Sequence, residues 1–260
     1  MEHVKRGLRR FVRIESAPIP QTHGAVISIE LWWRGKSYPI AIDISDTMAD
    51  IQRDILNRSV LYFKMQHLRQ GYQSDRVLPG GYTNCSKSYY KFLPWLRAVK
   101  DRQPARFEVY GRFGPGESKE IRQRAVEILT AQQHFRYTGA FEMVRGSRSL
   151  EEATLSSICI DLPGKGDFCF RLVDYLGIGA CIVAFKHRTN LPVPLEDGKH
   201  ILFAKEDLSD LAELCRYYLE HPEERQRIVR NSREYFDNFL HRDQLAAYYL
   251  SKSMERITGS

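Results

Sequence analysis

One stretch constrains the fold more than any other: Ser156 to Val183, SSICIDLPGKGDFCFRLVDYLGIGACIV. It reads as a buried strand over Ile158–Leu162, a Pro-Gly-Lys-Gly turn and a helix opening near Phe168. After Gly177-Ile178-Gly179 a second apolar strand follows over Ala180–Phe185. A glycine-rich turn between strand and helix places free backbone N–H groups, and the positive end of the helix dipole, where an anion can sit. Gly164, Lys165 and Gly166 lie in that turn, and Arg171 lies about one turn into the helix. Asp174 follows Arg171 by three, so both project from the same helical face. A cationic pair beside a helix start suits a diphosphate, and a carboxylate one turn on can accept hydrogen bonds from ribose hydroxyls. The same residues also suit a common turn and a surface ion pair worth roughly a few tenths of a kcal/mol. This window alone leaves both readings open.

The surroundings give the stretch its architecture. From Pro104 the pattern is regular: a strand (Arg106–Gly111), an amphipathic helix (Glu117–Gln132), a strand (Phe135–Thr138) and a short helix (Ser149–Thr154). Beyond the central stretch come a strand (Ile201–Ala204) and helices over Leu208–Glu220, Pro222–Tyr235 and Gln244–Ile257. Strands alternating with helices predict a parallel, doubly wound sheet. Ligands bind at the carboxyl ends of such strands, where Gly111-Arg112 and the Pro163–Asp167 turn would lie.

The part up to about Gln103 is less regular. Ala17-Pro18-Ile19-Pro20 breaks any helix. Val26–Trp33 and Ser37–Ile44 read as a hairpin across Arg34-Gly35-Lys36, followed by a helix from Thr47 to Asn57 capped by Asp46. Val60–Met65 is a short buried strand whose Lys64 is expected to pack its stem and reach solvent with its amine. A loop with a short strand near Arg76–Leu78 leads to an aromatic helix, Ser88–Lys100, interrupted at Pro94. Of each pair Trp32-Trp33 and Tyr89-Tyr90, at least one ring is expected in the core, although either pair could stack on a sugar or base.

Charge and cysteines bound the setting. The net charge of +7 suits anionic partners, and part of the excess gathers at Lys5, Arg6, Arg9, Arg10 and Arg13, which read as a solvated, flexible tail. No apolar run approaches the roughly 18–20 residues that span a bilayer. The basic N-terminus lacks the apolar centre of a secretory signal. Five widely spaced cysteines (Cys85, Cys159, Cys169, Cys181, Cys215) imply neither a disulfide framework nor a zinc site, and hence a reducing cytoplasm.

Several ordered elements together carry a resemblance. Arg171 to Gly179, then Asp197-Gly198-Lys199-His200-Ile201-Leu202, then Leu219-Glu220-His221-Pro222-Glu223-Glu224-Arg225 follow the family pattern in order. The chain resembles, over roughly Arg106 to Phe239, the C-terminal domain of GT-B glycosyltransferases of the group 1 type. The resemblance implies an α/β, GT-B-like fold with two Rossmann-like domains. A small N-terminal acceptor-side domain would occupy 1–103, a doubly wound, parallel-sheet domain binding a nucleotide sugar 104–239, and a helix crossing back to the N-terminal domain 240–260. It implies a metal-independent transfer of sugar from a nucleoside-diphosphate sugar to an acceptor hydroxyl of a glycan or lipid-linked saccharide. The sequence names neither base nor sugar, and a UDP-sugar is the first donor to consider. Asp174 stands where the family has a Glu that binds donor ribose or sugar, one methylene longer. Arg171 and Lys165 would neutralise the diphosphate, and Gly111-Arg112 would line the same pocket.

Fixed cations and a helix N-terminus can stabilise a leaving diphosphate without metal or other cofactor. The metal-using class of glycosyltransferase needs an Asp-x-Asp pair, which this sequence lacks. An inverting reaction needs a base from the N-terminal domain, for which Asp43, Asp46 and His67 are candidates. Each also has a plainer reading, as turn residue, helix cap and surface histidine. A basic protein suits an acceptor at an anionic membrane, implying a cytoplasmic enzyme peripheral to that surface. It also suits DNA carrying a hydroxylated base. The rival from another class is a Rossmann-like module that binds a nucleotide or nucleic acid without turnover.

Overall fold

The computed structural model describes residues 2–15, 25–83, 86, 88–142 and 144–259. The Ala17–Pro20 break and Cys85 lie outside them. Two compact units emerge. The first comprises Met1–Thr83, Arg188–Pro194 and Phe239–Ser260, and the second Asn84–His187 and Leu195–Asn238. The sequence-based boundary after Gln103 falls inside the second unit.

The first unit carries a four-stranded sheet in the order β1 (Val26–Trp33), β2 (Lys36–Asp43), β3 (Leu61–Lys64), β4 (Val77–Pro79). The hairpin β1–β2 is antiparallel, and β2, β3 and β4 run parallel. Helix α1 (Glu2–Leu8) buries His3, Val4, Gly7 and Leu8 and packs on α9 (Arg242–Thr258). The start of the basic arm is therefore a docked helix, while Arg6, Arg9, Arg10 and Arg13 stay exposed to solvent, as expected. Its approach is close: a Cβ on Gly7 would lie 2.4 Å from the Arg242 carbonyl oxygen. Three of its arginines have carboxylate partners, Arg6 with Glu2, Arg10 with Asp243 and Arg13 with Glu15.

Helix α2 covers only Arg53–Arg58, with Gln52 rather than Asp46 at its N-cap position. The preceding residues stay irregular because tyrosines from elsewhere take their backbone groups. Tyr72 donates to the Met48 carbonyl at 2.6 Å, and the Gln52 N–H reaches the Tyr62 hydroxyl at 3.4 Å.

The second unit follows the predicted rhythm. It contains α3 (Tyr89–Arg102), β5 (Phe107–Arg112), α4 (Lys119–Ala131), β6 (Tyr137–Ala140) and α5 (Gly146–Thr154). Then come β7 (Ser156–Asp161), α6 (Phe170–Ile178), β8 (Cys181–Phe185), β9 (Leu202–Ala204), α7 (Leu211–Glu220) and α8 (Pro222–Tyr235). A π-helical turn, Phe236–Leu240, leads into α9. The five strands run in the order β6-β5-β7-β8-β9, every pair parallel. Apolar runs in β7 and β8 are buried on both faces, as a covered parallel sheet requires. Helix α3 continues across Pro94 instead of being interrupted there, its Tyr89, Leu93 and Leu96 buried. No helix of the described residues is long and apolar enough to cross a membrane.

Candidate functional site

The strand order of the second unit reverses between β5 and β7. Chain connection runs outward from β5 to the edge strand β6, then returns past β5 to β7. In open parallel sheets ligands bind in the crevice beyond the carboxyl ends of the two strands at such a switch point. Here those ends are Arg112 of β5 and Asp161 of β7. The loops that follow, 113–118 and 162–169, lead into α4 and α6, so both helix N-termini open onto this end of the sheet.

Two arginines span the crevice. Arg171, in the first turn of α6, donates from Nε to Asp161 at 3.0 Å, from Nη2 to the Leu162 carbonyl at 2.8 Å and from Nη1 to the Arg112 carbonyl at 3.3 Å. Its guanidinium also lies 5.0 Å from the centre of the Phe113 ring. Arg122 of α4, buried, donates to the Pro163 carbonyl at 2.9 Å and the Gly114 carbonyl at 2.8 Å. It therefore ties the β5 loop to the β7 loop. Ser118, in the left-handed conformation with φ 48°, reinforces the tie through a 2.7 Å hydrogen bond to the Gly164 carbonyl.

These cations sit close enough to affect each other. Burial lowers the affinity of Arg122 for its proton, and Arg171 lowers it further. Burial also works against the charge on Arg171, but Asp161 and the surrounding groups outweigh it and hold that guanidinium above its ordinary range. Burial pushes the Asp161 carboxyl up, opposed by Arg171. Asp161 Oδ2 and the Tyr175 hydroxyl are both buried without a hydrogen-bond partner.

The predicted donor residues are distributed around this crevice in different states. Lys165 is exposed in the turn, with no carboxylate paired to it among the described residues. The turn closes on itself, the Gly164 N–H donating to the Gly166 carbonyl at 2.9 Å. Gly111 and Arg112 lie at the end of β5, but the Arg112 guanidinium is engaged by Glu152 at 2.7 Å and by Glu142. Only its backbone carbonyl faces Arg171. Asp174 is half-buried; burial drives its carboxyl well up, with Arg171 opposing, and its carbonyl accepts from Tyr89 at 3.1 Å. Arg122, Ser118 and Asp161 were not singled out from the sequence. A charged residue on the apolar face of α4 was the available signal for Arg122.

The three candidate bases all fall in the first unit. Asp43 lies inside the sheet, its carboxylate accepting from Lys64 at 2.9 Å, Tyr62 at 2.6 Å and the Ser45 N–H at 2.8 Å. With its oxygens committed and 1 % of its surface exposed, it cannot meet an acceptor hydroxyl, which corrects the expected role. Lys64, expected to reach solvent, is wholly buried as its counter-ion. Asp46 is exposed and accepts from Tyr82 at 3.0 Å, so it is not a helix cap. His67, expected at the surface, is buried edge-on against Tyr72 with Nδ1 unpartnered. Trp32 and Trp33 are both exposed, contrary to the expected core ring, whereas Tyr89 is buried.

Cys159, Cys169, Cys181 and Cys215 are not in disulfides, and no group of three or more His, Cys, Asp or Glu among the described residues is placed to hold a metal ion. A cavity of about 540 Å³ on the second unit, lined by Asp101, Arg230, Arg233 and Asp237 among others, is separate from the crevice. Its Arg233 and Asp237 are already paired, with Asp101 and Arg97.

Two buried histidines set an acid limit on stability. Burial lowers the pKa of His67 and of His200 below the ordinary 6.5. His200 Nδ1 also accepts from the Glu196 N–H at 3.1 Å, which requires the neutral ring. At these two sites the unfolded chain binds more protons than the native one, so their contribution to stability is full above pH 6.5 and is lost as pH drops through the lowered values. Urea midpoints measured at pH 7.5 and 5.5 should separate clearly, and His200→Asn with His67→Gln should narrow the gap.

A family model described as glycosyl transferase-like matches residues 91–251. No curated protein matches. Among solved structures, that of TarM shares 10% identity at a TM-score of 0.46, covering 79% of this chain and 42% of its own. A glycosyltransferase from Rickettsia africae ESF-5 shares 13% at a TM-score of 0.38, covering 69% and 47%. Anabaena Alr3699/HepE, in complex with UDP-glucose, shares 14% at a TM-score of 0.43, covering 77% and 67%. The chain thus spans less than half the length of the first two.

Proposed function

This chain belongs to the glycosyl transferase-like family, and on that premise we propose that it moves a sugar from a nucleoside-diphosphate sugar to an acceptor hydroxyl at the β5–β7 crevice. The observation that carries the reading is the pair Arg122 and Arg171, held at the switch point beneath two helix N-termini. Such a site offers a diphosphate a fixed positive potential that needs no reorganisation as charge develops on the leaving group. Among the described residues, Lys165, exposed in the Gly164–Gly166 turn, is a cation without a paired carboxylate and is assigned to close on the phosphates. Arg171 retains two of its five N–H groups beyond the three already used. Asp174 is assigned to the ribose or sugar hydroxyls, and Gly111 to backbone lining.

In this reading the fixed cations replace a metal, and the fold is the two-domain GT-B type with a UDP-sugar as the first donor to try. The acceptor is a saccharide or lipid-linked saccharide. Of the three candidate bases Asp46 is the one that is exposed, and proton removal is assigned to it rather than to the buried His67. A thermal-shift screen across UDP-, GDP-, ADP-, CMP- and dTDP-sugars tests the donor site. A ligand at one hundred times its Kd should stabilise by about 2.7 kcal/mol. One nucleotide sugar should raise the melting temperature by several degrees, and Lys165→Ala should remove most of the shift. No shift with any nucleotide sugar would end this reading.

A further inference from the structure

The β1–β2 hairpin of the first unit ends in a run of consecutive exposed residues, Trp32-Trp33-Arg34-Gly35-Lys36-Ser37. Register explains why they are bare. Strand β2 begins to pair with β3 only at Ile40, so Leu31–Trp33 and their partners Lys36–Tyr38 continue past the end of β3 as a ribbon of two strands. Trp32 is 71% exposed and Trp33 40%, although tryptophan is ordinarily among the more buried side chains.

The turn itself is unusual. Arg34 and Gly35 both take positive φ, 49° and 78°, as a two-residue hairpin turn demands. Asn, Asp or Gly fills the first of these positions with less strain. An arginine there places a charge at the tip, its guanidinium 5.6 Å from the Trp33 ring. Lys36 adds a second exposed cation beside it, while Glu30, a carboxylate further down the ribbon, is held by Ser37.

Adjacent strand residues point to opposite faces, so the two indoles flank the ribbon. A sugar ring or a protein laid on one face would cover one indole and leave the other in water. Only a medium that surrounds the tip covers both. A bilayer interface does so. Its headgroup level suits the amphipathic tryptophan ring, and its anionic phosphates suit Arg34 and Lys36. We propose that the Trp32–Lys36 tip is an anchor that inserts into the interface of an anionic phospholipid bilayer. This assignment stands apart from the sugar-transfer reading and does not depend on it.

The test uses the full chain with vesicles of phosphatidylcholine, with and without phosphatidylglycerol. Wild type should co-sediment with the anionic vesicles, more weakly as salt rises. In a Trp95→Phe background, which leaves Trp32 and Trp33 as the tryptophans, emission should shift to the blue on binding. Trp32→Ser with Trp33→Ser should weaken partition at least about tenfold. Arg34→Ser and Lys36→Ser should each weaken it about fivefold on anionic vesicles only. The replaced side chains are exposed, so an unchanged melting curve identifies a folded variant. Failure of wild type to bind anionic vesicles would overturn the proposal, as would folded variants that bind like wild type. An emission shift with soluble oligosaccharide but not with vesicles would also overturn it, in favour of a sugar-stacking surface.

Discussion

Lys64→Ala is expected to lower the melting temperature by roughly 6–20 °C. The Lys64 amine and the Asp43 carboxylate meet at 2.9 Å with side-chain exposures of 0% and 2%. Removing one partner of a buried ion pair strands the other charge, at about 3–5 kcal/mol. In chains of roughly this size, each kcal/mol moves the midpoint by about 2–4 °C. Exposed pairs such as Lys199–Glu196, at 53% and 59%, are worth about 1 kcal/mol or less. The double variant Lys64→Met/Asp43→Asn removes both charges and keeps an oxygen acceptor for Tyr62 and Ser45, so it should recover most of the loss. Asp43→Asn alone should change stability while leaving turnover per folded molecule intact. A melting point unchanged in Lys64→Ala would mean that the pair is hydrated and weak. A selective loss of turnover in Asp43→Asn would restore its assignment as a base.

Arg171→Met should cost both stability and sugar transfer, and a second substitution should separate the two. Alone it leaves Asp161, 1% exposed, without the guanidinium at 3.0 Å, again a penalty of about 3–5 kcal/mol. Adding Asp161→Asn removes the stranded charge, so melting should return toward wild type. Transfer should stay at least about a hundredfold down in the double variant, since losing one preorganised charge-stabilising group commonly costs that much. Single-turnover rates with saturating nucleotide sugar, read beside melting curves, give the two outcomes independently. A double variant that melts normally and turns over normally would reduce Arg171 to a structural strut. The leaving-group charge would then fall to Arg122, Lys165 and the helix N-termini.

The strand, turn and helix of Ser156–Val183 were legible because each rests on local information. Apolar runs, a glycine turn and a 3.6-residue period carry their meaning within a few residues. The regular alternation from Pro104 onward likewise announced a parallel sheet, and the structure supplies all five strands. The partners of the charges were not legible. Arg112 reads as a free cation beside a glycine, yet it is held by Glu152, brought beside it when α5 packs next to β5. Asp43 reads as a turn residue, yet it is the register partner of Lys64 across two parallel strands. The helix expected from Thr47 failed for the same reason, since tyrosines distant in sequence took the Met48 carbonyl and reached the Gln52 N–H.

The sequence by itself determined where strands and helices alternate, that a glycine turn opens α6, and which family the chain joins. Only the tertiary structure decided which charges are spent and which are available. Arg112, Arg122, Arg171 and Lys64 are tied to carboxylates or carbonyls from other elements, while Lys165, Arg34 and Lys36 remain at the surface. The physical reason is the range of the forces. Periodicity and turn chemistry act between neighbours along the chain, whereas desolvation and ion pairing depend on what sheet register and helix packing bring within about 3 Å.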